Sequence, residues 1–222
     1  MAGYALAAAK RQAVGLQKQP AALPPSWQAE DDVSEAQDAQ TGEGQMELPQ
    51  QFTTARLTLR KPELADAPAI FTAYAQDLEV TRFLVWRPHP DLATTHAYIE
   101  HCLSTWKANT EHCYVLTERA QARLVGMISV RVRDWSASLG YVLARSAWGQ
   151  GLMPEAAQAV SDYVLEQPAM YRVWAVCDVD NTASARVMEK IGMQREGLMR
   201  RGVLHPNISF EPRDCWLYAK VK

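Results

Sequence analysis

The sequence predicts one α/β domain of the α+β type: a mixed, mostly antiparallel sheet of six to seven strands with helices on both faces. Segments alternating polar and apolar at period two are interleaved with segments whose apolar residues recur every three or four positions. The resulting order is strand, helices, three strands in close succession, helix, strand, helix, two strands, which suits an α/β sandwich around one sheet. In its middle, Trp148-Gly149-Gln150-Gly151 joins a strand to a helix by a glycine turn.

The first 50 residues differ from everything after them. Tyr4 to Gln19 is Ala- and Gln-rich, Pro20, Pro24 and Pro25 break any helix there, and an acidic, Gln-rich run from Glu30 to Glu47 follows. Such a segment has too little large apolar side chain to offset its ordering entropy. Residues 1–50 are therefore expected to be a disordered acidic extension, and residues 51–222 the folded domain. Arg11 is the only arginine in the Ala-rich start, and the acidic run is unlike an organelle transit peptide. Met46 sits just before the apparent domain start, which leaves residues 1–45 as a functional tail or an upstream extension of the reading frame.

From Phe52 the pattern tightens. Arg56-Leu57-Thr58-Leu59-Arg60 alternates as a half-buried strand, Pro62 ends it, and Asp66 opens a helix with Ile70, Phe71 and Tyr74 inward. Asp77 to Trp86 reads as a second short helix or irregular segment, followed by a rigid loop, Arg87-Pro88-His89-Pro90. Asp91 caps a longer helix through Tyr98, Ile99, Cys102, Leu103 and Trp106. Three strands follow, His112 to Thr117, Leu124 to Arg133 with Gly126 as a candidate bulge, and Leu139 to Leu143. After the helix of residues 152–166 come a strand from Tyr171 to Cys177 and a helix from Asn181 to Ile191, with Ala183, Val187 and Ile191 on one stripe, stopped by Gly192. Strands at Met193 to Arg200 and Cys215 to Val221 close the chain.

Composition narrows the function. Apolar residues make up 48% and charged residues 22%, ordinary for a soluble globular protein. The net charge of -2 divides into 3 − 7 = −4 over residues 1–50 and 20 − 18 = +2 over the rest, so a nearly neutral domain is not expected to bind nucleic acid, and no stretch approaches the roughly 20 apolar residues of a membrane span, so no membrane is expected. Cys102, Cys113, Cys177 and Cys215 are spaced too irregularly for a zinc knuckle or redox pair, and His96, His101 and His112 lack helical ligand spacing, so no metal is expected. A reduced, cytoplasmic setting is the simplest reading.

In the glycine turn, two residues free to adopt positive φ allow close backbone approach, and the first N–H groups of the next helix are unpaired at its positive dipole end. The turn is either an anion cradle or simply tight; Pro154 and Glu155 suit the first helical turn in both readings.

Set in order, Leu139-Gly140-Tyr141, Ser146-Ala147-Trp148-Gly149-Gln150-Gly151, Glu155-Ala156, Asn181-x-x-Ser184 and Lys190-x-Gly192-Met193 to Glu196-Gly197 closely resemble the GNAT acetyltransferase superfamily. With Arg56-Leu57-Thr58-Leu59-Arg60, they resemble the Rim-type branch of ribosomal-protein N-terminal acetyltransferases. The resemblance covers residues 52–222, and Ser146 replaces the Gln or Arg that usually begins the phosphate loop.

The resemblance implies acetyl-CoA as cosubstrate, no metal, and direct attack by an amine in a ternary complex. Tyr141, Val142 and Leu143 would pair with pantetheine through their backbone, an amide of Val142 or Leu143 polarising the thioester, on a strand splayed from its neighbour by a bulge. Trp148, Gly149, Gln150, Gly151, Leu152 and Met153 would hold the pyrophosphate, Asn181 the pantetheine arm, and Ser184 would protonate the leaving thiolate. Arg186 and Lys190 either reach CoA phosphates or form a solvated face. Glutamates that relatives use as base are replaced by Ser138 and Val203, which leaves His205, Glu211, Asp214 or an ordered water. Trp86, Arg87, Arg200 and Arg201 are the acceptor-binding candidates, with packing as the other account of Trp86. The acceptor is expected to be a protein or peptide N-terminal α-amine. A small-molecule amine such as an antibiotic or polyamine is the alternative within the class, and a catalytically weak acyl-CoA-binding regulatory module the alternative outside it. The branch also implies a homodimer.

Overall fold

A computed structural model describes residues 46–222, so the expectation of disorder for residues 1–45 lies outside the described residues. The ordered domain begins before the boundary expected at residue 50. Leu48 is buried in the core, Tyr163 Oη donates to the Glu47 carbonyl at 3.1 Å, and Tyr114 Oη donates to the Pro49 carbonyl at 2.8 Å.

Eight strands form one sheet: β1 (Gln51–Thr53), β2 (Leu57–Arg60), β3 (Glu111–Glu118), β4 (Arg123–Arg133), β5 (Ser136–Leu143), β6 (Arg172–Asp178), β7 (Gln194–Val203) and β8 (Arg213–Val221). Their spatial order is β1-β2-β3-β4-β5-β6-β8-β7, and among the described residues only the β5–β6 pair is parallel. The strand beyond the expected seven is β1, paired to β2 from Gln51↔Arg60 to Thr53↔Thr58.

Helices cover both faces because strand side chains alternate. On one face α4 (Leu152–Glu166) and α5 (Thr182–Lys190) bury Ala156, Val160, Val164 and Met188 against Tyr114, Leu116, Ile128 and Val130. On the other face lie α1 (Ala67–Ile70, continued by a wider π turn over Phe71–Ala75), α2 (Leu78–Thr81) and α3 (Leu92–Ala108). There Ile70, Tyr74, Ile99 and Cys102 meet Cys113, Val115 and Met127. Asp91 caps α3 by accepting from Thr94 N at 2.8 Å, and Asp77 caps α2 by accepting from Glu79 N at 2.9 Å. The buried stripe of α5 runs through Met188 to Ile191 with Ala185 and Val187 beside it, while Ala183 faces outward, contrary to the expected stripe.

Two irregularities shape the middle of the sheet. Leu116 pairs with Gly126 but Thr117 pairs with Leu124, so Val125 is an extra residue in β4 beside the glycine expected to mark a bulge. A Cβ on Gly126 would lie 2.3 Å from the Val142 carbonyl oxygen, so this close crossing of β5 requires glycine. Further along, β5 and β6 pair only at Ser136↔Arg172, Ala137↔Val173 and Ser138↔Trp174, then separate. The expected splay is present, but β5 keeps an unbroken register with β4 from Gly126↔Leu143 to Arg133↔Ser136. The kink expected in β5 therefore lies in β4.

Candidate active site

The gap between β5 and β6 opens toward the glycine turn. In β5, Tyr141 and Leu143 face the α4–α5 core and Val142 faces the α1–α3 core, so the strand offers its backbone edge to the gap. Leu143 is partly engaged, since Trp148 Nε1 donates to its carbonyl at 2.8 Å. Gly149 and Gly151 both adopt left-handed conformations, with φ of 74° and 73°. Apart from its two chain neighbours, no described residue places an atom within 4 Å of where a Gly149 Cβ would stand. Gly151 is the N-cap of α4, so the amides of Leu152 and Met153 open the helix without carbonyl partners inside it, while both side chains are buried. Gln150 Nε2 donates to the Ser146 carbonyl at 2.9 Å, closing the turn on itself.

Across the gap, Asn181 caps α5 by accepting from Ser184 N at 3.1 Å. Ser184 Oγ is 2.8 Å from Tyr141 Oη. Burial raises the Tyr141 pKa while the Ser184 hydrogen bond opposes it, and the phenol stays protonated at neutral pH. Arg186 and Lys190 are exposed on α5.

A second polar cluster lies where β6, β8 and the β7–β8 connection meet. Asp178 is fully buried and accepts from Arg213 Nε at 2.5 Å, Arg213 Nη2 at 3.1 Å and Asp180 N at 2.9 Å. Burial, the largest single influence, would raise its pKa, but the hydrogen bonds from Arg213 and Asp180 together with the Arg213 charge outweigh it and hold Asp178 below the ordinary carboxylate range. His205 Nε2 lies 3.6 Å from Cys215 Sγ and 3.8 Å from Asp178 Oδ2. Its Nδ1 is buried without a hydrogen-bond partner, and burial lowers its pKa.

His205, one of the candidates for the base, is thus enclosed beside Cys215 and Asp178. Asp214 accepts from Arg201 N at 2.8 Å, and Glu211 pairs with the Arg201 guanidinium. Ser138 stands at the last β5–β6 pair and Val203 opposite Arg213. The Trp86 ring lies 5.1 Å from His89 and 6.5 Å from Tyr98, while Arg87 and Arg200 are exposed. Asn207 Nδ2 donates to the Thr81 carbonyl at 2.7 Å and the Trp86 carbonyl at 2.8 Å, tying the β7–β8 connection to the α2 region.

A gap between parallel strands that leads to a left-handed glycine turn and a helix N-terminus is one arrangement, and the family model for the acetyltransferase (GNAT) domain matches residues 56–194, the stretch that contains all of it. The chain belongs to the GNAT acetyltransferase family. Among relatives, it is 29% identical over 150 residues to the uncharacterized N-acetyltransferase p20 of Bacillus licheniformis, covering 66% of this chain and 84% of that one. A GNAT-family acetyltransferase structure from Bacillus anthracis superposes with a TM-score of 0.67 at 27% identity, covering 77% of this chain and 98% of that chain. RimL, a ribosomal L7/L12 α-N-protein acetyltransferase solved with coenzyme A, shares the fold with a TM-score of 0.67 at 22% identity, over 76% of this chain and 95% of that one.

As a GNAT acetyltransferase the protein has contacts at its glycine turn that the sequence pattern did not disclose. Glu155, expected only to suit the helix dipole, accepts from Thr54 Oγ1 at 2.6 Å, Arg56 N at 2.8 Å and Arg56 Nε at 2.6 Å. Arg56 Nη1 also donates to the Gln150 carbonyl at 2.8 Å. The Tyr141 hydroxyl, Asp178, Arg213 and Asn207 were likewise missed. For Arg56 the available signal was its place at the start of an alternating strand; for Asp178 and Arg213 it was a charge at the end of an apolar strand. Among the described residues no group of three or more His, Cys, Asp and Glu side chains is placed to hold a metal ion, and no helix is long and apolar enough to cross a membrane.

Proposed function

We propose that this enzyme transfers the acetyl group of acetyl-CoA to a protein or peptide N-terminal α-amine. The observation that carries the reading is the β5–β6 gap, whose free backbone edge runs from the last parallel pair at Ser138↔Trp174 toward the glycine turn. An extended pantetheine arm fits such an edge by forming the hydrogen bonds the missing partner strand would have made. The open space at Gly149 and the amides of Gly151, Leu152 and Met153 suit a pyrophosphate.

The chemistry needs few side chains because a thioester is already activated, so position and charge stabilisation supply most of the effect. A neutral amine nitrogen attacks the thioester carbonyl, and the Val142 or Leu143 amide receives the developing oxyanion. The carbon–sulfur bond breaks as the tetrahedral centre collapses, and the departing sulfur takes its proton from Ser184, which regains one from solvent through the neighbouring Tyr141 Oη. The amine gives its proton to solvent, since His205 is enclosed and Glu211 is paired with Arg201. Likeness of the motif series to the ribosomal branch, together with the fold shared with RimL, supports a peptide acceptor.

The test is an acceptor screen with purified full-length protein, acetyl-CoA, peptides of varied N-terminal residue and a panel of small amines, read by thiol release. Turnover with a subset of peptides supports the reading. Turnover confined to small amines overturns the acceptor class. Binding of acetyl-CoA with no turnover on any amine overturns the enzyme and leaves an acyl-CoA-binding module.

A further inference from the structure

We propose that Arg56, in the bend between β1 and β2 and far from the glycine turn in sequence, is the positioning residue of the pyrophosphate site, an inference that rests on the acetyl-CoA reading above. Its guanidinium bridges two elements. Nε meets Glu155 Oε2 at 2.6 Å on the first turn of α4, and Nη1 donates to the Gln150 carbonyl at 2.8 Å inside the turn. Its remaining nitrogen, Nη2, lies 3.7 Å from where a Gly151 Cβ would stand.

Three physical consequences follow for an anion. In a trans peptide the C=O and the following N–H point in opposite directions, and among the described residues no peptide is cis. Holding the Gln150 carbonyl on the Arg56 side therefore turns the Gly151 N–H to the other. Glycines at positive φ lose much backbone entropy when ordered, so a turn containing two of them gains from an external clamp. Finally, Glu155 is a carboxylate at the helix terminus that the anion would approach. Burial opposes its ionisation, but hydrogen bonds from Thr54 and Arg56 outweigh this and keep it charged. Arg56 neutralises a charge that would otherwise repel phosphate.

The test compares two acetyl donors, acetyl-CoA and S-acetylpantetheine, the second lacking the pyrophosphate, with an acceptor found in the screen. Arg56→Gln is expected to raise KM for acetyl-CoA about tenfold and leave KM for S-acetylpantetheine and kcat within about twofold. Arg56→Lys, which keeps the charge but not the fork, is expected to recover part of the loss. Adding Glu155→Gln to Arg56→Gln should also recover part, because it removes the unmasked carboxylate. Equal KM changes for both donors, or no change for either, overturn the proposal. If Arg56→Gln does not fold, Arg56→Lys alone decides by the same donor comparison. Failure of the wild-type protein to use acetyl-CoA would instead overturn the function proposed above.

Discussion

Tyr141 Oη lies 2.8 Å from Ser184 Oγ and donates to the Ser184 carbonyl at 3.2 Å, so a side chain of β5 reaches α5 across the gap where β5 and β6 no longer pair. If the two hydroxyls deliver one proton to the leaving sulfur, they act as a unit. Ser184→Ala and Tyr141→Phe are each expected to lower kcat about tenfold or more, with KM for acetyl-CoA within about threefold. The double variant should be little worse than the worse single one, whereas independent roles would multiply. Steady-state kinetics on the three variants, each with its CoA affinity measured by calorimetry, decide between these outcomes.

Gly126→Ala would place a methyl group 2.3 Å from the Val142 carbonyl oxygen, too close for any rotamer to relieve. The backbone of β5 must move, at a cost of about 1–3 kcal/mol. A lower denaturant midpoint together with a reduced kcat/KM is expected, because the shifted strand carries the Val142 and Leu143 amides. Unchanged kinetics would detach β5 geometry from the reaction.

Removing Arg213 leaves Asp178 charged and fully buried without its main partner. Arg213→Ala is expected to destabilise by about 3 kcal/mol, and adding Asp178→Asn should return part of that by removing the orphaned charge. Urea titrations of the two variants measure both effects.

Acidification should destabilise the fold from about pH 6.5 downward. Burial lowers the His89 pKa from 6.5 to about 4, and it lowers His112 and His205 in the same direction. Between pH 6.5 and 4 the unfolded chain therefore binds more protons than the folded one, and stability falls as pH falls. For His89 the full loss is about 3 kcal/mol at most. Urea midpoints at pH 7.5, 6 and 5 should decline in that order, and a flat series would show that these rings accept protons without leaving their sites.

Asn207 ties the β7–β8 connection to the α2 region through the Thr81 and Trp86 carbonyls, joining the two stretches that carry the acceptor-binding candidates. Asn207→Ala is expected to raise KM for the acceptor about fivefold or more and to leave KM for acetyl-CoA unchanged. A change in acetyl-CoA alone would relocate the acceptor away from this loop.

Much of this architecture was legible because it is local. Alternation marked β2, Asp91 announced the start of α3 by its capping chemistry, and Gly149 and Gly151 stand where only glycine adopts positive φ cheaply. What escaped depends on distance along the chain. Arg56 meets Glu155 across 99 positions and Arg213 meets Asp178 across 35, and neither residue carries a neighbouring signal of its partner. β1 is three residues long, too short to show alternation. Burial of His205 follows from the closure of the β7–β8 connection onto Asp178 and Cys215, which spacing alone does not encode.

The three residue pairs that join β5 to β6 leave the sheet stitched at one end and open at the other. Backbone hydrogen bonds therefore cannot set the width of the opening, which falls instead to α4, the helix that links the two strands and packs against both. A molecule lying along the opening would add the missing stitches, so the donor becomes part of the scaffold while it is bound. Melting temperature should then climb with donor concentration, and amide exchange should slow first at Tyr141 to Leu143, where the seam is loose.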